Sequence, residues 1–244
     1  MPEGPSILLV KEDLQPFVGK VVFWAYGNSK IDQQRLLNKE LLDIKSWGKH
    51  LLLCFKDFTV RIHFLMFGSY TINERKEGRL VRLGLQFHKG EMNFYACAIK
   101  VLEGDIDMHY DWSADVMNDV WDKKKARTKL KARPDELICD VLLNQDIFSG
   151  VGNIIKNEVL YRMNVHPESL VGKIPVAKLN KVIDDARSYS FLFLEWKRKY
   201  ELKRNWQVHT KKFCEQCGSK LIKSYPGHTK RRSYYCENCQ ILYQ

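Results

Sequence analysis

The sequence predicts an α+β chain of several modules: an antiparallel β-sandwich first, a helical segment next, and a metal-stapled ribbon last. Three observations predict it. About seven short strand-like segments lie between residues 21 and 97, helical spacing takes over near Asp115, and four cysteines near the end read C-x2-C, an 18-residue gap, then C-x2-C.

Taken in order, Pro5 suits the first turn of a helix, and Ile7, Leu8, Val10, Leu14 and Phe17 give that helix an apolar face before Gly19. The strand-like segments are 21–26, 41–47, 50–55, 59–64, 69–72, 80–87 and 92–97. They are rich in β-branched and aromatic residues and are separated by turn signals such as Lys56-Asp57 and Lys89-Gly90. So many short strands in about 80 residues predict a sandwich or barrel. Val116, Val120 and Trp121 then have helical spacing, Lys123 to Arg127 form a charged helix or connector, and Pro134-Asp135-Glu136 opens a helix carrying Leu137, Ile138, Val141 and Leu142. The turn Gly150-Val151-Gly152-Asn153 precedes a helix over 154–163, and a third helical stretch covers 176–197.

The 244 residues carry a net charge of +11, which points to a polyanionic partner. Residues 196–244 hold 12 Lys/Arg against 3 Asp/Glu, so the charge is concentrated in the last fifth of the chain. With 45% hydrophobic residues, no apolar run approaches the ~20 residues of a membrane span. The run Ile7-Leu8-Leu9-Val10 is too short for a secretory signal and has no basic leader. A soluble, intracellular protein is expected. Cys54, Cys97 and Cys139 lie among apolar residues and are expected to be buried thiols. Cys214, Cys217, Cys236 and Cys239 have zinc-ribbon spacing, and an intracellular setting argues against disulfides. One structural zinc is the expected cofactor.

Three further stretches can carry chemistry. The chain starts Met1-Pro2-Glu3-Gly4. If Met1 is removed, Pro2 offers a secondary amine with a pKa near ~8, able to attack an electrophilic carbon and form an iminium, with Glu3 beside it for proton transfer. The 150–153 turn reads either as a phosphate cradle at a helix N-terminus or as an ordinary glycine-containing cap. No Gly-Lys-Ser/Thr follows it, so nucleotide hydrolysis is excluded and no nucleotide cofactor is expected. Lys230-Arg231-Arg232 falls on the tip or return strand of the ribbon hairpin, with Ser233, Tyr234 and Tyr235 alternating faces.

Four features in this order, Met-Pro-Glu-Gly-Pro, Trp47-Gly48-Lys49-His50-Leu51-Leu52, Gly150-Val151-Gly152-Asn153-Ile154 and the terminal four-cysteine ribbon, resemble the formamidopyrimidine-DNA glycosylase / endonuclease VIII family of base-excision repair enzymes. The resemblance covers the whole chain. It implies a β-sandwich catalytic domain with an N-terminal helix over 1–112, a helix-two-turns-helix domain over 113–208 and a zinc ribbon over 209–244. It further implies a glycosylase with AP lyase activity, acting as a monomer on damaged double-stranded DNA held in the cleft between domains, in the cytoplasm and at the nucleoid. Pro2, Glu3 and Lys49 then form the catalytic set. Asn153, Arg231 (with Arg232 as the neighbouring choice) and Lys100 would meet phosphate. Met66 matches the wedge that fills the gap left by a flipped base, with Phe67 beside it; on its own Met66 reads equally as core.

Three positions depart from the family pattern. Ser6 stands where the usual start has a second glutamate, which leaves open a non-catalytic DNA-damage or DNA-structure binder of the same fold. The Asp-Pro-Arg-Arg-Phe-Gly segment of the oxidised-purine branch is replaced by Ala96-Cys97-Ala98-Ile99-Lys100-Val101, and residues 195–212 lack the glycines of its lesion-capping loop. The endonuclease VIII branch and oxidised pyrimidines are favoured over an oxidised-purine glycosylase. A transcription-type zinc-ribbon binder is a third reading.

Overall fold

A computed structural model describes residues 2–244, and the expected removal of Met1 falls outside them. The chain divides into two compact units, one ending at Tyr110 and the other covering residues 111–244.

In the first unit, α1 (Gly4–Leu14) opens with a proline in its first turn, where the missing N–H costs nothing. Ile7, Val10 and Leu14 bury one side of it. Eight strands follow: β1 (Val22–Tyr26), β2 (Asp43–Trp47), β3 (His50–Cys54), β4 (Phe58–His63), β5 (Ser69–Ile72), β6 (Val81–Phe87), β7 (Glu91–Tyr95) and β8 (Ala98–Glu103). They form two four-stranded antiparallel sheets, ordered β1-β6-β7-β5 and β2-β3-β4-β8. Ile44, Leu51, Leu53, Val60 and Ile62 of one sheet and Leu83, Leu85, Met92 and Phe94 of the other share one core with α1. Each such burial stabilises the fold by roughly 1.5–3 kcal/mol. The sandwich expectation therefore holds. β8 was not among the strands read from sequence; it exists because Val60, Arg61 and Ile62 of β4 pair with Val101, Lys100 and Ile99. Cys97 and Cys139 are buried as expected, but Cys54, at the end of β3, is only half-buried.

The second unit holds α2 (Lys123–Lys131), α3 (Ile138–Val141), α4 (Asn153–Arg162) and α5 (Val176–Arg198), then the hairpin of β9 (Ile222–Ser224) and β10 (Ser233–Tyr235). Two helical expectations are corrected. Residues 116–120 form turns, because the Asp115 carboxylate accepts the Met117 N–H at 2.9 Å and the Asn118 side-chain oxygen accepts the Val120 N–H at 3.1 Å. Such local side-chain bonds compete with a helix. Asp122 then caps α2 through the N–H groups of Lys124 and Lys125. The helix expected from Pro134 starts only at Ile138. Residues 134–136 form a turn in which the Glu136 N–H donates to the Arg133 carbonyl, the carbonyls of Pro134 and Glu136 accept from Gly172 and Val171, and Leu137 bridges Leu170, so the segment is tied down outside a helix. No helix among the described residues is long and apolar enough to cross a membrane.

Candidate nucleic-acid interface and catalytic terminus

Glu3 is the N-cap residue of α1, with φ −106° and ψ 172°, and its carbonyl accepts from Ser6 and Ile7. Its side chain is 2% exposed. Pro2 directly before it is half-buried, and α1 packs against β2 and β3. A carboxylate is rarely this buried without a task or a partner. Lys49 occupies the tight turn between β2 and β3, made possible by Gly48 at φ +52°. Its charge, with that of Arg61, helps depress the two histidines next to it. Burial first, then Arg61, His63 and Lys49, hold His50 down to about 4; burial, then Lys49 and Arg61, lower His63. Both rings are thereby kept neutral beside a cationic cluster. Arg61 and the two histidines were not singled out in the sequence, where only their alternation along β3 and β4 marks them.

Met66 is not core. It is 58% exposed and Phe67 is 79% exposed, at the apex of a tight turn between β4 and β5. The turn is built to hold them there. Gly68 donates to the Phe64 carbonyl at 2.7 Å, and a Cβ on Gly68 would come within 2.1 Å of that oxygen. Leu65 adopts φ +50°, and its N–H donates to His63 Nδ1 at 3.2 Å. A rigid turn that projects large apolar side chains into water is the pattern of a contact surface. Lys100 lies mid-strand on β8, exposed, opposite Arg61.

In the second unit one helix organises the site. On α4, Asn153, Lys156, Asn157 and Tyr161 share a face, since residues three and four apart are neighbours. Asn153 Nδ2 donates to the Arg232 carbonyl at 2.9 Å, and so do Lys156 Nζ and Asn157 Nδ2, each at 3.3 Å. Lys156 Nζ also reaches Ser233 Oγ at 2.8 Å. Glu158 is fully buried and accepts three backbone N–H groups, from Gln207 at 2.9 Å, Val208 at 3.1 Å and His209 at 2.8 Å. Burial pushes its carboxyl above the usual range, and the three donors pull it back. The Tyr161 hydroxyl lies 3.1 Å from Cys214 Sγ. Arg231 and Arg232 are exposed immediately before β10, Arg232 donating to the hydroxyls of Tyr225 and Tyr234. The sequence singled out Asn153 and Arg231 but not Lys156, Asn157 and Glu158, whose only signal was a run of polar residues inside a helix that proves to be buried.

Cys214, Cys217, Cys236 and Cys239 converge, their sulfurs all within 4.8 Å of one another. Cys214 and Cys239 are 3.8 Å apart and Cys217 and Cys236 3.5 Å. Four sulfurs at ~2.3 Å from one tetrahedral centre would be about 3.8 Å apart. The set could hold a metal ion.

Residues 1–98 match the family described as the formamidopyrimidine-DNA glycosylase N-terminal domain, and residues 114–189 match the formamidopyrimidine-DNA glycosylase H2TH domain. The chain belongs to the formamidopyrimidine-DNA glycosylase / endonuclease VIII family. Endonuclease 8-like 3 of Mus musculus is 29% identical over 205 residues, 81% of this chain and 34% of that protein. The Xenopus laevis protein of the same name is 28% identical over 231 residues, 90% of this chain and 38% of its own. The chain thus spans about a third of the length of these relatives. Formamidopyrimidine-DNA glycosylase of Carboxydothermus hydrogenoformans aligns end to end, 25% identical over 98% of this chain and 100% of that one. Among solved structures, a viral DNA glycosylase superposes with TM-score 0.85 at 19% identity, covering 98% of this chain and 100% of the other. Lactococcus lactis formamidopyrimidine-DNA glycosylase bound to DNA containing an abasic site superposes with TM-score 0.86 at 21% identity, covering 98% and 99%. The fold of this family member is accordingly two antiparallel sheets with an N-terminal helix, an H2TH region, and a four-cysteine cluster compatible with a zinc ribbon.

Proposed function

We propose that the chain is a DNA glycosylase with AP lyase activity that removes oxidised bases, chiefly pyrimidines, from double-stranded DNA in base excision repair. The observation that carries this reading is the start of α1, where Pro2 precedes a buried Glu3 in a domain of the glycosylase family. Relatives named Endonuclease 8-like support it, as does the fold shared with a Lactococcus lactis enzyme described with DNA containing an oxidised pyrimidine.

With Met1 removed, the Pro2 nitrogen attacks C1′ of the damaged nucleotide, the C1′–N bond breaks and the base departs with a proton. The C1′–O4′ bond then opens, O4′ taking a proton, and leaves a Pro2–C1′ iminium; this acidifies the C2′ hydrogen, whose loss expels the 3′ phosphate by elimination. Water then hydrolyses the imine and frees Pro2. Glu3 handles protons at the sugar ring. Lys49, Asn153 and Arg231 grip phosphates around the lesion, with Lys100 as a further contact, while Met66 and Phe67 occupy the space of the flipped nucleotide. A zinc ion held by Cys214, Cys217, Cys236 and Cys239 would be structural, because four thiolates leave no open position for substrate. The division of labour follows residues 1–112 for chemistry, with 113–208 and 209–244 for DNA contact.

Borohydride reduction tests the reading. A covalent enzyme–DNA adduct is expected on abasic or oxidised-pyrimidine duplex from protein lacking Met1, and none from protein that retains it. Normal trapping by protein with Met1 intact by mass spectrometry would overturn the assignment of Pro2. Ser6, buried in α1 at the position of the family's second glutamate, favours a second reading as a non-catalytic damage binder. Tight lesion binding with no adduct on any damaged duplex would select it.

A further inference from the structure

Asp140 lies on α3 and is 4% exposed. Its carboxylate reaches 88 residues along the chain to the ribbon. Oδ2 accepts the His228 N–H at 3.0 Å and lies 3.0 Å from His228 Nδ1, while Oδ1 accepts the Thr229 N–H at 3.2 Å and the Thr229 hydroxyl. Contact is close enough to require glycine just before: Gly227 has φ +70°, and a Cβ there would come within 1.9 Å of Asp140 Oδ2. Buried carboxylates with this many donors form charge-assisted bonds, about twice as strong as neutral ones.

Three residues further on, the Arg232 carbonyl takes the three donors of α4. The chain is therefore pinned at 228–229 and again at 232. Between the pins Lys230 adopts φ +46°, a left-handed conformation costing a non-glycine residue roughly 1–2 kcal/mol, which persists only where its surroundings impose it. Arg231 follows, its backbone fixed from both sides and its side chain exposed.

We propose that Asp140 is a positioning residue for Arg231: from α3 it fixes the hairpin turn so that the guanidinium is presented, already ordered, to a DNA phosphate. This rests on the phosphate role proposed for Arg231. Pre-ordering a flexible side chain's backbone lowers the entropy lost on binding. The direction of the effect separates positioning from plain electrostatics. Removing a negative charge by itself strengthens binding to a polyanion, whereas loss of positioning weakens it.

The test uses the whole 244-residue chain, zinc-loaded, and Asp140→Asn, Arg231→Ala and the double variant, with undamaged duplex binding measured across salt concentrations. Asparagine keeps one acceptor and turns an NH2 towards the donors of the other. Asp140→Asn is expected to speed amide exchange at His228 and Thr229, to weaken duplex binding about tenfold, and to reduce the salt slope by up to one unit, as loss of one phosphate contact would. The double variant is expected to bind within twofold of Arg231→Ala alone, because the second change removes a contact already lost. Equal or tighter binding by Asp140→Asn, or independent losses that multiply in the double variant, would overturn the proposal. Wild-type binding and slope in Arg231→Ala would instead overturn the phosphate role itself, and this inference with it. If Asp140→Asn loses its metal, Thr229→Val, which removes only the hydroxyl donor, is put through the same cycle and decides by the same criteria.

Discussion

Removal of the Glu158 carboxylate should loosen the chain that enters the ribbon, by an amount set by three hydrogen bonds. In Glu158→Ala the N–H groups of Gln207, Val208 and His209 lose their acceptor. Val208 is fully buried, so its N–H cannot turn to water and carries a penalty of roughly 2–3 kcal/mol. Gln207 and His209 are half-buried and can recruit solvent, adding about 0.5–1 kcal/mol each. The total is about 4 kcal/mol, close to a thousandfold in the opening equilibrium. Glu158→Gln keeps one oxygen for Val208 and His209 and sets its NH2 against the Gln207 N–H. Part of that loss is offset because a buried amide is cheaper to desolvate than a buried carboxylate, and a cost of about 2 kcal/mol is expected. Urea unfolding followed by amide exchange at residues 207–209 reads the effect directly, with Trp206, edge-on to His209, as a fluorescence reporter. If Glu158→Ala shifts stability by less than about 1 kcal/mol and the three amides stay protected, the carboxylate does not hold this segment.

Met66→Ala is expected to slow single-turnover base excision at least tenfold while changing undamaged-duplex affinity less than twofold, since the gap exists only after a base has flipped; equal effects on both would refute the wedge role. Asn153→Ala should weaken duplex binding with little change in salt slope, because the residue is uncharged, and a slope change near one unit would contradict this. Stability should fall as pH drops from about 6.5 towards 4. His50 and His209 are each held down to about 4, chiefly by burial, so the unfolded chain takes up their protons first; each contributes about 1–2 kcal/mol after allowance for partial exposure. Glu91, lowered to about 2 mainly by the Arg75 hydrogen bond, acts in a separate window, its contribution being lost only below about 4.5. Urea midpoints at pH 7 and 4.5 for wild type and His50→Asn measure the first window. Elemental analysis of reduced protein should give one zinc per chain, and its removal should abolish protection of the 233–235 amides while leaving the β-sandwich folded; a metal-free protein with a protected hairpin would refute the structural role.

Much of the architecture is legible in local pattern. Strands appear because alternating apolar residues such as Leu51, Leu53, Val60 and Ile62 can bury one face of a sheet. The ribbon appears because cysteine spacing is set by ligand geometry, and the Met1-Pro2-Glu3-Gly4 start, weak alone, because it stands in order with three further motifs of one family. These signals are complete within a few residues. Tertiary structure decided the rest. The Asx turns at Asp115 and Asn118 overrode helical spacing, and β8 formed because β4 had an edge to pair. The exposure of Met66 depends on how Gly68 closes onto Phe64. Asp140 and Glu158 look in sequence like helix-surface acids, yet both are buried because their partners arrive from 88 and 49 residues away. A hydrogen bond to a distant backbone N–H leaves no trace in the partner's residue type, since every residue but proline carries that group. That is why the Met-Pro-Glu-Gly start and the four-cysteine cluster could be read directly, while the side chains that pin the 228–232 turn became visible only in the folded chain.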